Sequence, residues 1–497
     1  MKETGEVTVG LFDHEARQFK FDVLREVAIA SYSDSISPTL DDDLAYKLIP
    51  TLKANFRCCV YKEREIIRAR TRMALGRLPN SRKDEVTHER QFVHVIESAC
   101  DGCTIKRIHI TDNCRKCMAK SCKVVCKFDA ITMGPDRAHI DLDKCKECGA
   151  CVKACAFNAV VETVRPCKAS CAVNAISMDE YGIAKIDMEK CINCAACQTA
   201  CPFGAIEDIS HMTDVINQLK GDKKVIAMVA PSIQGQLDSA TLPQIKEGIR
   251  QLGFDMVVEV AAAADIVAYY EKEELKERIA NGQPMTSSCC PAFVNMIKLH
   301  YPEVKPYLST MKSPMMVMGQ LMKARYPDVL TVFIGPCVAK KQEAYEDDHE
   351  SVDYVLTFEE IAAMLVSQRI YCSGIQVDPE VEASKYGREF ARVGGVSAAL
   401  VAAMKEDNQP AFRSSVGNGC GDCKKALMML KVKRHDFDVL EGMACVGGCS
   451  NGPGTIETNG KVKQRFDKEN VGNTHSIADT LKAFEEELQH IHIHTHH

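Results

Sequence analysis

The sequence contains no tryptophan, and aromatic residues make up only 6% of its 497 positions. It has no run of about 18 uncharged apolar residues, the length a membrane-spanning helix requires. The longest candidate, Val257 to Tyr270, is broken by Glu259 and Asp265. The opening residues, MKETGEVTVGLFDHEARQFKF, lack the apolar core of a secretion signal. Positive charge is not in excess: the formal net charge is -6, so nothing draws the chain to nucleic acid or to an anionic membrane. Together these absences predict a cytoplasmic protein with no nucleic-acid and no membrane partner. Composition is otherwise that of a folded protein, 46% hydrophobic and 26% charged, which argues against disorder. At about 150 residues per domain, the length suggests about three units.

Cysteine is what the sequence does have, 26 in all. In a cytoplasmic chain, disulfides are rare and clustered cysteines point to metal or redox chemistry. Cysteine density also divides the chain. Residues 1–95 hold only Cys58 and Cys59, and Tyr61 to Arg77 reads as helical, so this part is a mostly helical segment to which no role is assigned. Residues 96–210 carry sixteen cysteines between Cys100 and Cys201, joined by short β-prone pieces such as Ala138 to Asp141 and Ala184 to Asp187. That stretch has too little apolar side chain to fold without its metal. Residues 211–485 alternate apolar runs, such as Lys224 to Val229, with amphipathic helices, such as Leu242 to Leu252, which is an α/β pattern. The histidine-rich tail, 486–497, is assigned no role.

The spacing in the middle segment is specific, because a cuboidal cluster needs four thiolates converging on one small object. Cys145-x2-Cys148-x2-Cys151-x3-Cys155 and Cys191-x2-Cys194-x2-Cys197-x3-Cys201 fit the two-cluster ferredoxin run, in which the fourth cysteine serves the neighbouring cluster. Cys114-x2-Cys117-x4-Cys122-x3-Cys126 is the same run with a two-residue insertion. Asp129-Ala-Ile131, Asn158-Ala-Val160, Asn174-Ala-Ile176 and Gly204-Ala-Ile206 recur at one offset after the fourth cysteine, an internal repeat. The exchange rule gives Cys114, Cys117, Cys122 with Cys155; Cys145, Cys148, Cys151 with Cys126; and Cys191, Cys194, Cys197 with Cys171. Cys100, Cys103, Cys167 and Cys201 form the fourth set as the cysteines left over. Structural zinc is the alternative, although its sites come as two separated pairs rather than as such runs. Proline normally follows the fourth cysteine, yet only Cys201-Pro202 keeps it.

In the last part, three loops each follow an expected strand: Thr286-Ser-Ser-Cys-Cys-Pro-Ala-Phe293, Ile334-Gly-Pro-Cys-Val-Ala-Lys-Lys341 and Glu441-Gly-Met-Ala-Cys-Val-Gly-Gly-Cys449. Strand ends are where α/β sheets bind ligands. In this order the loops resemble the signature segments of the iron-iron hydrogenases, over roughly Lys224 to Gly454, and the preceding segment resembles a pair of two-cluster ferredoxin domains. The resemblance implies an α+β or α/β multidomain fold: two ferredoxin-like domains holding four accessory 4Fe-4S clusters, then a two-lobed α/β catalytic domain. It implies an H-cluster, a 4Fe-4S cubane joined through one cysteine sulfur to a two-iron unit carrying CO, cyanide and a dithiolate. Cys290, Cys337, Cys445 and Cys449 are then the cubane ligands, with Cys449 bridging.

The resemblance further implies that Cys289 passes protons to the two-iron unit through a relay of Glu271, Ser309, Glu274 and Arg278. From the residues alone, Glu271, Glu274 and Arg278 share one helix face, which equally describes a solvated face with an ion pair. Lys340 and the Ala230-Pro231-Ser232 turn are implied as cyanide contacts, and Phe390 and Met443 as apolar contacts. Lys341 is read as a surface residue. The implied activity is 2 H+ + 2 e- ⇌ H2, with a ferredoxin-type electron carrier and the hydrogenase maturation factors as partners. The alternatives are a hydrogen-sensing relative of low turnover and a related iron-sulfur assembly factor without the two-iron unit. Departures at Ser288, Phe293, Gly335 and Asn451 to Gly454 imply a divergent, ferredoxin-rich (group B-like) subgroup. Cys58, Cys59, Cys372, Cys420 and Cys423 remain without a task, the last two as a flexible CxxC.

Overall fold

The computed structural model describes residues 15–80, 90–100, 103, 107–237, 239–408, 410–457 and 460–495. The first fourteen residues, part of the stretch searched for a secretion signal, lie outside the described residues, as do His496 and His497 of the tail. Among the described residues, no helix is long and apolar enough to cross a membrane.

Three helices open the chain: α1 (Glu15–Tyr32), α2 (Leu40–Leu48) and α3 (Val60–Ala74). In α1, Phe21, Leu24, Val27, Ala28 and Ser31 recur at helical spacing and are buried. Phe21, Leu24 and Val27 belong to the same hydrophobic cluster as the strands of the C-terminal part, so this face of α1 completes a core that it does not own. The third helix joins two cores. Its Ile67 and Ala74 enter that cluster, whereas Ile66, Ala69 and Met73 pack with the cysteine-rich segment.

The cysteine-rich segment is built from three-residue strands paired antiparallel: Val93–Val95 with Ile206–Asp208, Ile108–Ile110 with Val160–Glu162, Ile131–Met133 with Ala138–Ile140, and Ile176–Met178 with Ala184–Ile186. Its helices, among them Ser121–Val124, Ala150–Ala154, Pro166–Ser170 and Ala196–Ala200, are four or five residues long. Isolated helices of that length do not persist in water, so the segment depends on what its cysteines hold.

The C-terminal part contains two parallel sheets. Strands β1 (Val225–Val229), β2 (Met256–Glu259), β4 (Leu330–Ile334) and β5 (Tyr354–Leu356) form one, in the order β2-β1-β4-β5; β3 (Met285–Thr286), β6 (Ser414–Asn418) and β7 (Val439–Met443) form the other, in the order β3-β7-β6. All five residues of β1 and of β7 are buried, as expected of central strands covered on both faces. The helices that matter for the site are α4 (Val260–Ala280), α5 (Pro291–His300), α6 (Ala339–Glu346), α7 (Phe358–Ser367) and α8 (Cys420–Lys431).

Lys341 is not a surface residue, which corrects the sequence expectation. Its side chain is fully buried and its Nζ donates to Asp208 Oδ2 at 2.7 Å, to the Ile209 carbonyl at 2.6 Å and to Glu360 Oε1 at 3.3 Å. Lys20 of α1 joins the same group, with Asp208 at 3.0 Å and Glu359 at 2.8 Å. Sequence could not show this, because the acidic partners come from two separate segments, at Asp208 and at Glu359 and Glu360. Replacing Lys341 with methionine takes the cation from buried Glu360 and leaves Asp208 with Lys20 alone; losses of one partner from a buried pair cost about 3–5 kcal/mol. Denaturant unfolding of Lys341→Met is expected to show a loss of that order, and an unchanged midpoint would show that the cluster is not needed for stability.

Candidate active site between two parallel sheets

The three cysteine loops leave strand ends and enter helices, as the sequence pattern anticipates. Cys290 caps α5, with Pro291 at its first position, where the missing N–H costs nothing. Cys337 lies between β4 and α6, and Cys445 and Cys449 follow β7. The turn to Cys449 needs glycine. Gly447 and Gly448 have φ of 86° and 88°, and a Cβ on Gly448 would lie 2.6 Å from the Ala391 carbonyl. Close approach there lets the Cys449 N–H donate to that same carbonyl at 2.7 Å.

Cys289, Cys290, Cys337, Cys449, Lys340, Ala230, Pro231, Ser232, Phe390 and Met443 line one cavity. Burial raises the Cys337 and Cys445 thiols, and nearby Cys290 and Cys449 raise them further. Cys449 is pushed up to about 12 by burial and then by Cys290, with Lys340 opposing. Four thiols crowded in this way do not ionise unaided. An iron-sulfur core that takes them as thiolates removes the conflict, so the donor set fits a cubane. A second observation fits a ligand with acceptor atoms: the Ser232 hydroxyl is fully buried at this cavity and has no hydrogen-bond partner among the described residues. The Lys340 ammonium is buried, and burial opposes its charge, but Glu343 at 2.6 Å holds it protonated. It also donates to Ser313 Oγ at 2.8 Å and to the Cys289 carbonyl at 3.3 Å.

Glu271, Glu274, Ser309 and Arg278 meet as one chain rather than a solvated face. Glu271 is only 2% exposed. Burial, then the charge of Glu274, pushes its carboxyl up to about 8, with Ser309 as hydrogen-bond partner. Ser309 Oγ donates to Glu274 Oε2 at 2.9 Å. Arg278 grips Glu274 Oε1 at 2.7 and 3.0 Å. Cys289 sits at the inner end, its thiol raised by burial, then by the charges of Cys290 and Glu271.

Departures from the family pattern have local reasons. The Phe293 ring lies over Gly442, where a Cβ would come within 2.4 Å of it. At Gly335 the space a side chain would need is taken by Phe333, 2.4 Å from a Cβ built there. Phe333 and Met315 also line the cavity and were not anticipated; both read as ordinary core residues. Ser288 donates to the Met311 carbonyl at 2.6 Å. The Asn451 amide donates to the Val446 carbonyl at 3.0 Å, closing the last loop.

In the ferredoxin-like segment each cysteine set shows mutual electrostatic contact: Cys122 with Cys155, Cys114 and Cys117; Cys151 with Cys145, Cys126 and Cys148; Cys197 with Cys194, Cys191 and Cys171; Cys167 with Cys201, Cys100 and Cys103. The recurrent Asp, Asn, Asn and Gly have a physical cause. Asp129, Asn158, Asn174 and Gly204 stand at φ of 45°, 49°, 54° and 56°, where these residues are tolerated. The N–H of the alanine that follows then donates to the fourth cysteine's sulfur: Ala130 to Cys126 at 3.4 Å, Ala159 to Cys155 at 3.3 Å, Ala175 to Cys171 at 3.2 Å and Ala205 to Cys201 at 3.4 Å. Ala184 donates to Cys100 at 3.3 Å as Ala138 does to Cys114 at 3.5 Å, so the two sulfurs hold equivalent places.

The CxxC at Cys420 and Cys423 begins α8 and is not a flexible loop. Cys420 hydrogen-bonds to Cys194 and lies near Cys290, and Cys445 lies near Cys194. This pair therefore stands where the Cys191 set adjoins the cavity. Cys58 and Cys59 are exposed, and Cys372 is buried against Gly248.

Comparison with known proteins finds similarity in both cysteine-bearing parts of the chain. Residues 223–453 match the family model of the iron-only hydrogenase large subunit, C-terminal domain, residues 165–205 the 4Fe-4S dicluster domain and residues 138–161 the 4Fe-4S binding domain. Iron hydrogenase 1 of Clostridium pasteurianum is 29% identical over 465 residues, covering 80% of each chain. The chain is thus similar to the iron-iron hydrogenases and diverges from them. A probable cytosolic Fe-S cluster assembly factor of Culex quinquefasciatus is 27% identical over 285 residues, 45% of the hydrogenase-like chain and 59% of that relative. A solved apo hydrogenase of Chlamydomonas reinhardtii has a TM-score of 0.46 at 21% identity, covering 58% of this chain and 98% of that one.

Two outcomes follow for the hydrogenase-like protein. Cys201→Ser is expected to remove about four irons and the paramagnetic signal of the Cys100 set, leaving that of the Cys191 set; loss of the latter instead would reverse the ligand exchange. Glu271 binds a proton more tightly in the folded chain, about 8 against an ordinary 4.5. The folded state therefore holds the extra proton between those values, and stability falls as pH rises through that window. Glu271→Gln is expected to flatten this decline in denaturation midpoints measured from pH 5 to pH 9; an unaltered slope would place the proton elsewhere.

Proposed function

We propose that the chain is a hydrogenase catalysing 2 H+ + 2 e- ⇌ H2, with electrons entering through the ferredoxin-like segment from a ferredoxin-type carrier. The observation that carries this reading is the route from the cavity outward: a buried thiol, Cys289, beside four converging cysteines, connected through Glu271 and Ser309 to Glu274. A protein that only stores or delivers an iron-sulfur cluster has no use for such a route.

Cys290, Cys337, Cys445 and Cys449 would hold the cubane, and the space lined by Ser232, Lys340, Phe390 and Met443 would take the two-iron unit. When bound, that group supplies the electron-accepting metal at which protons and H2 interconvert. The protein's own contribution is separable. Cys289 Sγ–H is the proton donor facing the cavity, and Glu271, neutral near pH 7, reprotonates it from a carboxyl oxygen while remaining in reach of Ser309. Lys340, fixed by Glu343 and Ser313, presents a permanent positive charge beside the cysteine loops. Phe390, Met443 and Phe333 exclude water. Cys194 and Cys445, near one another, would form the electron approach. Cofactor insertion would depend on the hydrogenase maturation factors, and cytoplasmic residence agrees with the composition.

The test is an infrared spectrum of the anaerobic protein made with those factors. Sharp CO and cyanide bands that shift under H2 are the expected result. A full accessory iron content with no such bands would favour the assembly-factor reading, to which similar proteins also belong. Bands that respond to H2 without measurable turnover would favour a sensor.

A further inference from the structure

The proton route as described stops at Glu274, and its two oxygens are used differently. Oε1 is held by Arg278, which also donates to the carbonyls of Pro306 at 2.8 Å and Leu308 at 3.1 Å. A guanidinium does not deprotonate in proteins, so Arg278 anchors the carboxylate and cannot pass protons. Oε2 is the working oxygen. It accepts from Ser309 Oγ at 2.9 Å on the inner side and from Thr310 Oγ at 3.2 Å on the outer side. Thr310 Oγ in turn lies 2.9 Å from His494 Nδ1.

His494 comes from the C-terminal segment, which is fastened at this place. The Lys312 N–H donates to the Ile493 carbonyl at 2.8 Å, the Thr495 N–H to the Thr310 carbonyl at 2.6 Å and Thr495 Oγ to the same carbonyl at 3.0 Å; Met311 and His494 form an antiparallel bridge. Ile493 is buried, 6% exposed, while His494 is exposed. The tail thus pins an imidazole in water against the outer face of Glu274.

We propose that His494 is the outermost station of the proton route, taking protons from solvent and passing them through the Thr310 hydroxyl to Glu274 Oε2. In the inward step the imidazolium Nδ1–H gives its proton to Thr310 Oγ as the hydroxyl gives its own to Oε2; the exposed ring, now neutral and bare at Nδ1, turns to solvent, takes a proton there from hydronium and swings back as the imidazolium. The imidazole ring carries two nitrogens, each able to bind and release a proton. The inference rests on the relay proposed above.

The experiment uses the full, matured protein, comparing His494→Gln, Thr310→Val, Thr310→Ser and Glu274→Gln. Glutamine keeps a polar group for Thr310, and with it the docked tail, but cannot carry a proton. H2 evolution is expected to fall about tenfold in His494→Gln, short of the 10²–10⁴ typical of a buried acid or base because water partly substitutes. Added imidazole should restore it, and Thr310→Ser but not Thr310→Val should keep the native rate. A readout independent of turnover is the exchange of the Cys289 S–H for S–D in protein lacking the two-iron unit, followed in the infrared. His494→Gln should slow it. A slow Glu274→Gln beside a native-like His494→Gln, in rate and in exchange, overturns the role of His494 and leaves the relay standing. A native-like Glu274→Gln overturns the relay and this inference with it.

Discussion

Mutual repulsion among buried thiols governs this structure. Four sulfurs brought together in a low-dielectric place are stable only if they stay protonated or share a metal core, and the fold arranges five such groups. Around the accessory sets there is almost no regular structure that would stand without that bond: strands of three residues, helices of four or five, and backbone N–H groups turned toward sulfur. Around the fifth group the balance is reversed. Two parallel sheets with buried central strands hold the cysteine loops from behind, so the cavity is shaped by protein before any ligand arrives.

Much of this was legible because metal ligation imposes spacing. The accessory runs, the three strand-to-loop cysteines and the face shared by Glu271, Glu274 and Arg278 all follow from short-range patterns that a single sequence displays. What stayed hidden depends on residues far apart in the chain. Lys341 looks like the second of two surface lysines until Asp208 and Glu360 are brought to it. Phe333 reads as a strand residue, and only the missing side chain of Gly335 turns its ring to the cavity. Cys420 and Cys423 have a spacing but no location until α8 sets them beside Cys194. The first helices carry no motif, since their work is to complete two cores made by other segments.

In the proposed reading, the groups that would carry electrons and those that would carry protons are made of different materials. One is sulfur, backbone amide and short loop, from Cys167 through Cys197 and Cys194 to Cys445. The other is oxygen on a long helix, α4, whose rigidity keeps Glu271 and Glu274 one turn apart.

The buried ion cluster at Lys341 has a consequence for maturation. Asp208 ends the strand Ile206–Asp208, a few residues beyond Cys201, while Lys341 lies in α6, a few residues beyond Cys337. One cluster-bearing segment therefore presents the anion and the other the cation. By thermodynamic linkage, whatever orders the loop at Cys201 favours the burial of Lys341 and so the seating of the Cys337 loop, and the reverse holds equally. The Cys201 and Cys337 segments are thereby coupled in their folding through one lysine.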